Sequence, residues 1–430
     1  MADLNTYLNQ INDCVTKEHG KVFAELISLS EVITITTYQQ QKQSFSNKIQ
    51  ETKYNSKLLQ LKKIDQIVRK TADLDSLLQN KIHPHGTNET QRESYCDMIA
   101  SRLRAITSIF DSNYDDAFNY LSESITAFIK VFEVWSSQAM WKFTYDIRIM
   151  AKLANTVESA EKKADYYEEA SRILNRCFQA SSTDRTTDLS QSKKKAAMGI
   201  VNQMFHIYFK LNNLKLCKNV IKAMESPLYP ALESYPLGQL ITYRFFVGRL
   251  AAFDGNTQKA QQDLLFSFNK CPSTGSSAKN KRLILLYLIP MQLSLCRFPK
   301  KELLLQYGLN QFVGIVEAMK TGNIKLFNQC LSTNQNYFIQ KGIYLILEKL
   351  KNIVYRNLFK KIYLLNHNSR VPIQNFVIAL KWAENDTVDI DEAECIISNL
   401  IYNGYIKGYV CHKVGLILSP KDPFPQIWKS

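Results

Sequence analysis

Basic side chains near the end of the sequence are the residues whose types and spacing could do chemistry. Arg356 and Lys360 are four residues apart, so a helix places them on one face, and Lys361 stands beside them. Lys407 and Lys413 lie in a later stretch that reads as strand and turn. Cations of this kind bind the phosphates of nucleic acids without reading the bases. We predict that these five residues contact phosphates; the alternative is a solvated helix face with ordinary surface lysines.

The sequence has no pattern typical of a catalytic or metal site. It contains no Gly-rich phosphate loop, no nucleophile elbow and no paired carboxylates. Its nine cysteines form no C-x-x-C pair, and the neighbouring His83 and His85 have no third ligand nearby. We therefore predict no enzymatic activity, no cofactor and no metal, with cysteines that are reduced and mostly buried.

The charge of the chain predicts an anionic partner. The formal net charge is +15, which favours nucleic acid, an anionic surface or an acidic protein. Lys193–Lys222 contains seven lysines and no acidic residue, and Lys279–Lys301 contains six basic residues and no acidic one. The longest apolar run, Leu283–Met291, has nine residues, which is too short to span a membrane. The polar N-terminus lacks a signal-peptide pattern, so we expect a nuclear or cytosolic protein.

The elements that carry the basic residues read as a winged helix. Apolar residues recur every three or four positions from Gly342 to Leu365, which predicts one long amphipathic helix. A short extended piece at Arg370–Pro372 precedes a second helix. Two strands, Tyr405–Lys413 and Gly415–Ser419, close the unit with a hairpin near Lys413–Gly415. The second helix has a predicted core face of Ile373, Phe376, Val377 and Leu380.

The third helix of this region has the wrong charge for a DNA reader. It opens at Asp389 with Glu392 three residues on, which is the spacing of a capping box. Asp389–Asn403 contains four acidic residues and no Lys or Arg. In a helix-turn-helix protein this helix enters the major groove, which is lined by phosphates. We predict that it does not read the groove. Its predicted buried residues are Ala393, Ile396, Ile397, Leu400 and Ile401.

Helical patterns fill the rest of the chain. Helix pairs recur at intervals of roughly 35–40 residues, the mark of a repeat stack. The clearest pair is Leu237–Pro272, where Gly248 and Ala260 let two helices approach closely and Leu264 takes the bulky position. We predict a mostly all-α fold: an N-terminal helical and partly disordered segment (1–94), a tetratricopeptide-like repeat stack (95–340) and the winged helix (341–425).

Local motifs resemble the PCI-domain family, which is named after the proteasome lid, the COP9 signalosome and a translation initiation factor. The resemblance covers about Tyr95–Pro425 and is specific to a subfamily of transcription–export subunits, whereas residues 31–94 depart from it. The motifs are Val201–Lys210, Leu216–Lys218, Tyr243 with Val247–Arg249, Lys279–Arg282, Tyr287–Pro290, Leu347–Lys351, Tyr355–Lys361, Val388–Glu392, Asn399–Tyr402 and Pro423–Pro425.

The resemblance implies a non-catalytic subunit of the second transcription–export complex, which couples transcription to mRNA export at nuclear pores. Its winged helix would pair with that of a large PCI-type scaffold subunit, beside a small acidic, largely disordered subunit. Together the paired winged helices would bind RNA or DNA non-specifically, with no membrane contact. Tyr405, Tyr409, Val410 and Leu416 are the predicted partner interface. The alternative is a structural subunit of the proteasome-lid or signalosome type that binds no nucleic acid.

Overall fold

A computed structural model describes residues 2–29, 32–33, 48–156, 165–186, 188, 191–273, 275, 277–383 and 388–427, with the backbone alone at 2–3 and 48–57. Helices dominate these residues, and three short strands lie near the C-terminus. The chain divides into two compact units, residues 1–243 and 244–430. The division falls inside one helix, at a point that nothing in the sequence marks. The boundaries predicted at residues 94 and 340 stay predictions.

The first unit is built from helical hairpins. Its helices are α1 Ala2–Thr16, α2 Gly20–Ile27, α3 Lys48–Lys70, α4 Leu74–Lys81, α5 Glu89–Phe110, α6 Tyr114–Lys130, α7 Ser137–Ala154, α8 Tyr166–Ser182, α9 Ala197–Lys210, α10 Leu214–Met224 and the start of α11, Leu237–Phe253. Short 3-10 helices occur at Val134–Ser136, Lys193–Ala196 and Leu232–Ser234. Asn88 caps α5 through a reciprocal bond pair with Gln91.

A buried ion pair fixes the N-terminal helices to this unit. Arg102 on α5 and Asp146 on α7 bond to each other, and both side chains are almost fully buried. Arg102 also donates to the carbonyl of Ile27, and Asp146 accepts from the amide of Leu29 at 3.1 Å. The pair therefore satisfies backbone groups at the end of α2, which hydrophobic residues of the same size could not do.

The N-terminal segment is helical where it is described. Leu58, Leu61 and Ile64 of α3 and Leu78 of α4 are buried. The histidine pair lies in the loop after α4, where the amide of His83 donates to Asn12 at 3.2 Å. The prediction of partial disorder covers residues 35–94, of which 35–47 lie outside the described residues. The helices α3 and α4 lie within the segment that was predicted to be helical and partly disordered.

The second unit continues with close-packed helix pairs before the winged helix. Its helices are the rest of α11, α12 Thr257–Lys270, α13 Ser277–Ser294, α14 Lys301–Gln306, α15 Val313–Thr321, α16 Ile324–Thr333, α17 Gln335–Lys341 and α18 Tyr344–Lys349, with a 3-10 helix at Asn310–Phe312. A Cβ atom on Gly248 of α11 would lie 2.9 Å from Leu264 and 3.2 Å from the carbonyl of Ala260 on α12. The predicted close approach of these two helices is confirmed.

The winged helix comprises α19 Lys351–Asn366, β1 Arg370–Val371, α20 Ile373–Ala383, α21 Ile390–Tyr402, β2 Gly408–Cys411 and β3 Gly415–Leu418. The prediction of a single helix from Gly342 to Leu365 is wrong, because α18 ends at Lys349 and α19 begins at Lys351. The apolar pattern continues across the break since Leu347, Leu350 and Val354 are all buried. Leu365, predicted on the same buried face, is exposed.

No helix among the described residues is both long enough and apolar enough to cross a membrane.

The cysteines are reduced and mostly buried, as the sequence predicted. All nine are free thiols, and five of them are buried. Burial raises the pKa of the Cys177 thiol to about 12, so this thiol stays protonated at neutral pH.

Candidate nucleic-acid and partner interfaces

The core of the winged helix is an aromatic and aliphatic cluster between its three helices. Phe359 of α19 and Phe376 of α20 meet edge to face, with ring centroids 4.8 Å apart. The amide of Glu392 donates to the side chain of Asp389 at 2.8 Å, so the predicted N-cap of α21 is present. The four residues predicted for the core face of α20 are all buried. On α21, Ala393, Ile397 and Leu400 are buried, whereas Ile396 and Ile401 are partly exposed.

A three-stranded antiparallel sheet completes the unit, in the order β1-β3-β2. Gly415 opens β3 with a φ of 110°, and a Cβ there would lie 2.3 Å from the carbonyl oxygen of Val371. Only glycine fits at this position, because both the backbone angle and the neighbouring strand exclude a side chain. Since β3 is central, β2 is an edge strand within the described residues.

Arg356, the first of the predicted phosphate contacts, lies inside the protein. Its side chain is 8% exposed, and its guanidinium donates to the carbonyls of Phe424 and Pro425 at 2.9 and 2.8 Å. Desolvation lowers the pKa of Arg356 below its usual range. The ring of Phe424 packs on Tyr363, with centroids 5.7 Å apart. Arg356 holds the C-terminal segment onto α19 and is not available to a phosphate, so its assignment as a phosphate contact is wrong.

The two lysines that follow on α19 are at the surface. Lys360 is exposed and is one helical turn beyond Arg356. Lys361 is exposed along its length, and its ammonium donates to the carbonyl of Thr321 at the end of α15, at 2.6 Å. A lysine at a helix C-terminus complements the partial negative charge there. Both ammonium groups keep N–H donors that could form hydrogen bonds with a phosphate.

The wing carries the other two predicted contacts at opposite ends of β2. Lys407 precedes the strand, and its backbone bonds to Pro423 and Ser419 leave the side chain exposed. Lys413 lies in the turn between β2 and β3 and is exposed. A four-residue strand spans roughly 13 Å, so the two ammonium groups do not form one cluster. The predicted contacts are thus separate points along one unit.

The acidic α21 is connected to the wing by a pair that the sequence does not signal. His412 Nδ1 lies 3.0 Å from an oxygen of Glu394, although the two residues are eighteen positions apart. Asp391 and Glu392 in the first turn are exposed. The helix that would read bases in a DNA-binding relative therefore presents carboxylates to solvent at its N-terminal end, where phosphates would be repelled.

The four residues of the predicted partner interface differ in exposure. Tyr409 is 61% exposed on the edge strand β2, and Val410 beside it is partly exposed. Tyr405 is also partly exposed, and burial raises the pKa of its hydroxyl. Leu416 is fully buried in the central strand β3. Leu416 is therefore a core residue, and its assignment to the interface is wrong.

The two basic runs are partly used inside the fold. Lys194 is buried with its ammonium 5.8 Å from the ring centroid of Tyr229, and Lys193 lies 5.7 Å from that of Phe132. In the second run, Lys281 is buried and donates to Ser273 at 2.7 Å, while Arg282 donates to the carbonyls of Tyr307 and Gly308. These contacts leave fewer free cations for an acidic partner than the sequence counts suggest.

Both the winged helix and nearly the whole chain have counterparts among known proteins. A family model for the PCI domain matches residues 331–421, which include the whole winged helix. The chain is 52% identical to the PCI domain-containing protein 2 homolog of Dictyostelium discoideum, over 99% of this chain and 99% of that protein. The chain belongs to the PCI domain-containing protein 2 family. The family resemblance read from the sequence motifs is confirmed, as is the predicted helical stack with a C-terminal winged helix.

Other relatives of the PCI domain-containing protein 2 family extend the comparison. PCI domain-containing protein 2 of Xenopus laevis is 40% identical over 77% of this chain and 85% of its own length. A protein of Mycosarcoma maydis named Protein CSN12 homolog is 29% identical over 73% of this chain and 76% of its own. Residues 31–94, which were predicted to depart from the subfamily pattern, fall within the alignment to the Dictyostelium protein.

A cavity of about 710 Å³ lies in the first unit of this PCI domain-containing protein 2 family member. Trp135, Trp141 and Tyr235 line it, with Lys195 as its one charged residue. No carboxylate, histidine or thiol lines the cavity. Within the described residues, no three His, Cys, Asp or Glu side chains are grouped as a metal site would require.

Proposed function

We propose that this chain is a non-catalytic subunit of a nuclear mRNA-export complex. It binds a large PCI-type scaffold subunit and a small acidic subunit, and it contributes cations to a surface that binds RNA or DNA without sequence preference. Membership of the PCI domain-containing protein 2 family supports the role of a complex subunit. We propose a nuclear location, including nuclear pores, together with a cytoplasmic pool.

One observation carries the nucleic-acid part of the proposal. Lys360, Lys361, Lys407 and Lys413 are all exposed, whereas α21 presents carboxylates. Cations that are spread over a helix and a wing suit the phosphate backbone, which is periodic and carries no base information. Carboxylates at the N-terminal end of α21 disfavour insertion into the major groove. This combination supports backbone contact from the side of α19 and the wing.

The scaffold contact is proposed for the edge strand. β2 has one side free of a neighbouring strand within the described residues, and it carries the exposed ring of Tyr409. Strand edges and exposed aromatic side chains are common docking features. Tyr405 and Val410 extend the apolar strip, and their partial exposure leaves surface that a partner could cover.

A structural subunit without nucleic-acid contact is the second candidate. The name of the Mycosarcoma maydis relative, Protein CSN12 homolog, and the acidic charge of α21 favour it. The two candidates differ in one property that can be measured: only the first predicts that the assembled complex binds nucleic acid with a salt dependence that requires the lysines of α19 and the wing.

The test replaces Lys360 and Lys361 with glutamate in the complex assembled with its partners. We expect weaker binding to fluorescent single-stranded RNA probes of two unrelated sequences, by the same factor for both. The slope of log affinity against log salt should flatten by about 0.7 for each phosphate that is no longer neutralised. Lys130→Glu with Lys152→Glu is the matched control, because both residues are exposed in the first unit and the charge change is the same.

The outcomes separate the candidates. Weaker binding in the α19 variant alone supports phosphate contact by Lys360 and Lys361. Equal weakening in both double variants means that net charge, and not this surface, drives binding. Unchanged binding in the α19 variant with an intact fold contradicts the assignment, and the absence of RNA binding by the unmodified complex favours the purely structural subunit.

A further inference from the structure

The winged helix has an open apolar groove between α19 and α20. The groove has a volume of about 470 Å³, and Ile362, Leu365, Ile378, Ala379 and Trp382 line it. Leu365 is 80% exposed, Trp382 83% and Ile378 59%. Single exposed apolar residues are ordinary on a protein surface, whereas large apolar side chains that are grouped in this way indicate an interaction surface.

The spacing of these residues fits a helical ligand. Ile362 and Leu365 are three residues apart on α19, and Ile378 and Trp382 are four residues apart on α20, so each helix presents one stripe to the groove. Two helices with facing apolar stripes form a trough that accepts a third helix by its own apolar face. Phe359, one turn before Ile362 on α19, packs against Phe376, so the groove borders the core of the winged helix.

The charge around the groove selects the kind of helix. From Lys349 to Ala383 the sequence has six Lys and Arg residues besides the buried Arg356 and no Asp or Glu, and the nearest acidic residues along the chain are Glu348 and Glu384. Lys361 is one turn from Leu365, and Lys381 is exposed beside Trp382. An apolar trough with a basic rim is complementary to a helix whose flanks are acidic.

We infer that the α19–α20 groove docks an acidic amphipathic helix of a partner protein. The partner helix places bulky apolar side chains at positions i, i+3 or i+4, and i+7 between Leu365 and Trp382, with carboxylates on both flanks. This surface is separate from the proposed phosphate contacts on the wing and from the edge strand β2, and it borders Lys361, a proposed phosphate contact on α19. The inference rests on the proposed function, which includes an acidic partner, and gives such a partner a docking site; it does not depend on nucleic-acid binding.

The experiment measures binding of a designed probe to the full chain. The probe is a fluorescent amphipathic peptide of about five helical turns, with leucine at the apolar positions and glutamate elsewhere. A second peptide has lysine in place of every glutamate. We expect the acidic peptide to bind at least tenfold more tightly than the basic one, with an affinity that decreases as salt is raised.

The groove variant is Leu365→Ser with Trp382→Ser. Both side chains are mostly exposed, so the fold should survive, which circular dichroism checks. We expect at least tenfold weaker binding of the acidic peptide. The matched control is Leu345→Ser with Tyr402→Ser, which removes two side chains that are 69% and 90% exposed outside the groove. We expect the control to bind within twofold of the unmodified chain.

The possible outcomes decide the inference. Equal weakening in both double variants, or equal binding of the two peptides, would show non-specific apolar adhesion and overturn it. Binding of the groove to vesicles containing anionic lipid, without binding to the acidic peptide, would assign the surface to a membrane and also overturn it. RNA affinity should be the same for the groove variant and the unmodified complex, so failure here is distinguishable from failure of the proposed export function.

Discussion

Two helices of the winged helix, α19 and α21, present surfaces of different chemistry to solvent: the surface of α19 is basic and apolar, and that of α21 is acidic. The α19 side carries Lys360 and Lys361 and opens into an apolar groove. The α21 side carries Asp391 and Glu392, and its Glu394 is paired with His412 of the wing. Both helices pack on the same small core, so the difference lies in the surface alone. A shared fold therefore does not determine which face binds a partner.

The position of each charge relative to the core explains why the two sides differ in the charge that they present to solvent. At physiological salt the Debye length is about 8 Å, so exposed carboxylates on α21 act mainly on what touches that helix. Arg356 shows the limit of counting charges on α19, because it is used internally to hold the C-terminal segment. Only cations that reach solvent can distinguish the two sides.

The largest expected effect is a difference in stability between a variant of the buried Arg356 and a variant of the exposed Lys360 on α19. Arg356→Ala should lower the free energy of unfolding by about 3 kcal/mol, because the carbonyls of Phe424 and Pro425 lose a charged donor in a desolvated site. Lys360→Ala, one turn away, should change it by less than about 0.5 kcal/mol. Urea denaturation of the two variants measures the difference.

A second readout checks the reason for that difference. Protease cleavage near residues 420–427 should accelerate in Arg356→Ala and not in Lys360→Ala, since the C-terminal segment loses its attachment. Equal stability of the two variants would mean that the hydrogen bonds of Arg356 contribute nothing, and Arg356 would return to the set of candidate phosphate contacts.

The next effect compares the edge strand with the acidic helix. Tyr409→Ala should weaken binding to the scaffold subunit about tenfold, because an exposed aromatic ring on a strand edge is a favourable anchor. Glu394→Lys should weaken it less than threefold at physiological salt, because charges at a rim chiefly affect association rate. Surface plasmon resonance with the purified scaffold subunit measures both affinities. Equal weakening, or a larger effect of Glu394→Lys, would move the interface from β2 to α21.

The smallest effect concerns the carboxylates of α21. Replacing Asp391 with Asn and Glu392 with Gln should raise the affinity of the assembled complex for RNA by only about twofold, since the proposed phosphate contacts are on α19 and the wing and salt screens the repulsion. Fluorescence anisotropy at two salt concentrations detects this change. A gain of tenfold or more would place the nucleic acid against α21 and reverse the comparison.

The sequence predicted those parts of the winged helix that depend on local chemistry. The core face of α20 is correct because burial on one helix side imposes a regular spacing on Ile373, Phe376, Val377 and Leu380. The N-cap at Asp389 is correct because a cap bonds within its own helix turn. The two strands are shorter than predicted, since side-chain alternation continues beyond the paired residues.

The errors arose from contacts between residues that are distant in the sequence. Arg356 shares a helical stripe with Lys360, and nothing near it shows that a segment 68 residues later covers it. Leu416 lies in the apolar run Leu416–Leu418, where the sequence does not show which face of the strand is covered, and its side chain is buried. The break at Leu350 contains neither glycine nor proline, and the same core receives apolar residues from both sides of it.

Lysine reactivity in the assembled complex, measured with and without single-stranded RNA, tests most directly whether nucleic acid binds the α19 side and the wing. Acetylation followed by mass spectrometry reports each lysine separately. We predict that RNA protects Lys360, Lys361, Lys407 and Lys413, while the exposed Lys130 and Lys152 of the first unit react as before. Protection that is absent from these four lysines, or that is equal at Lys130 and Lys152, would contradict the proposed phosphate surface.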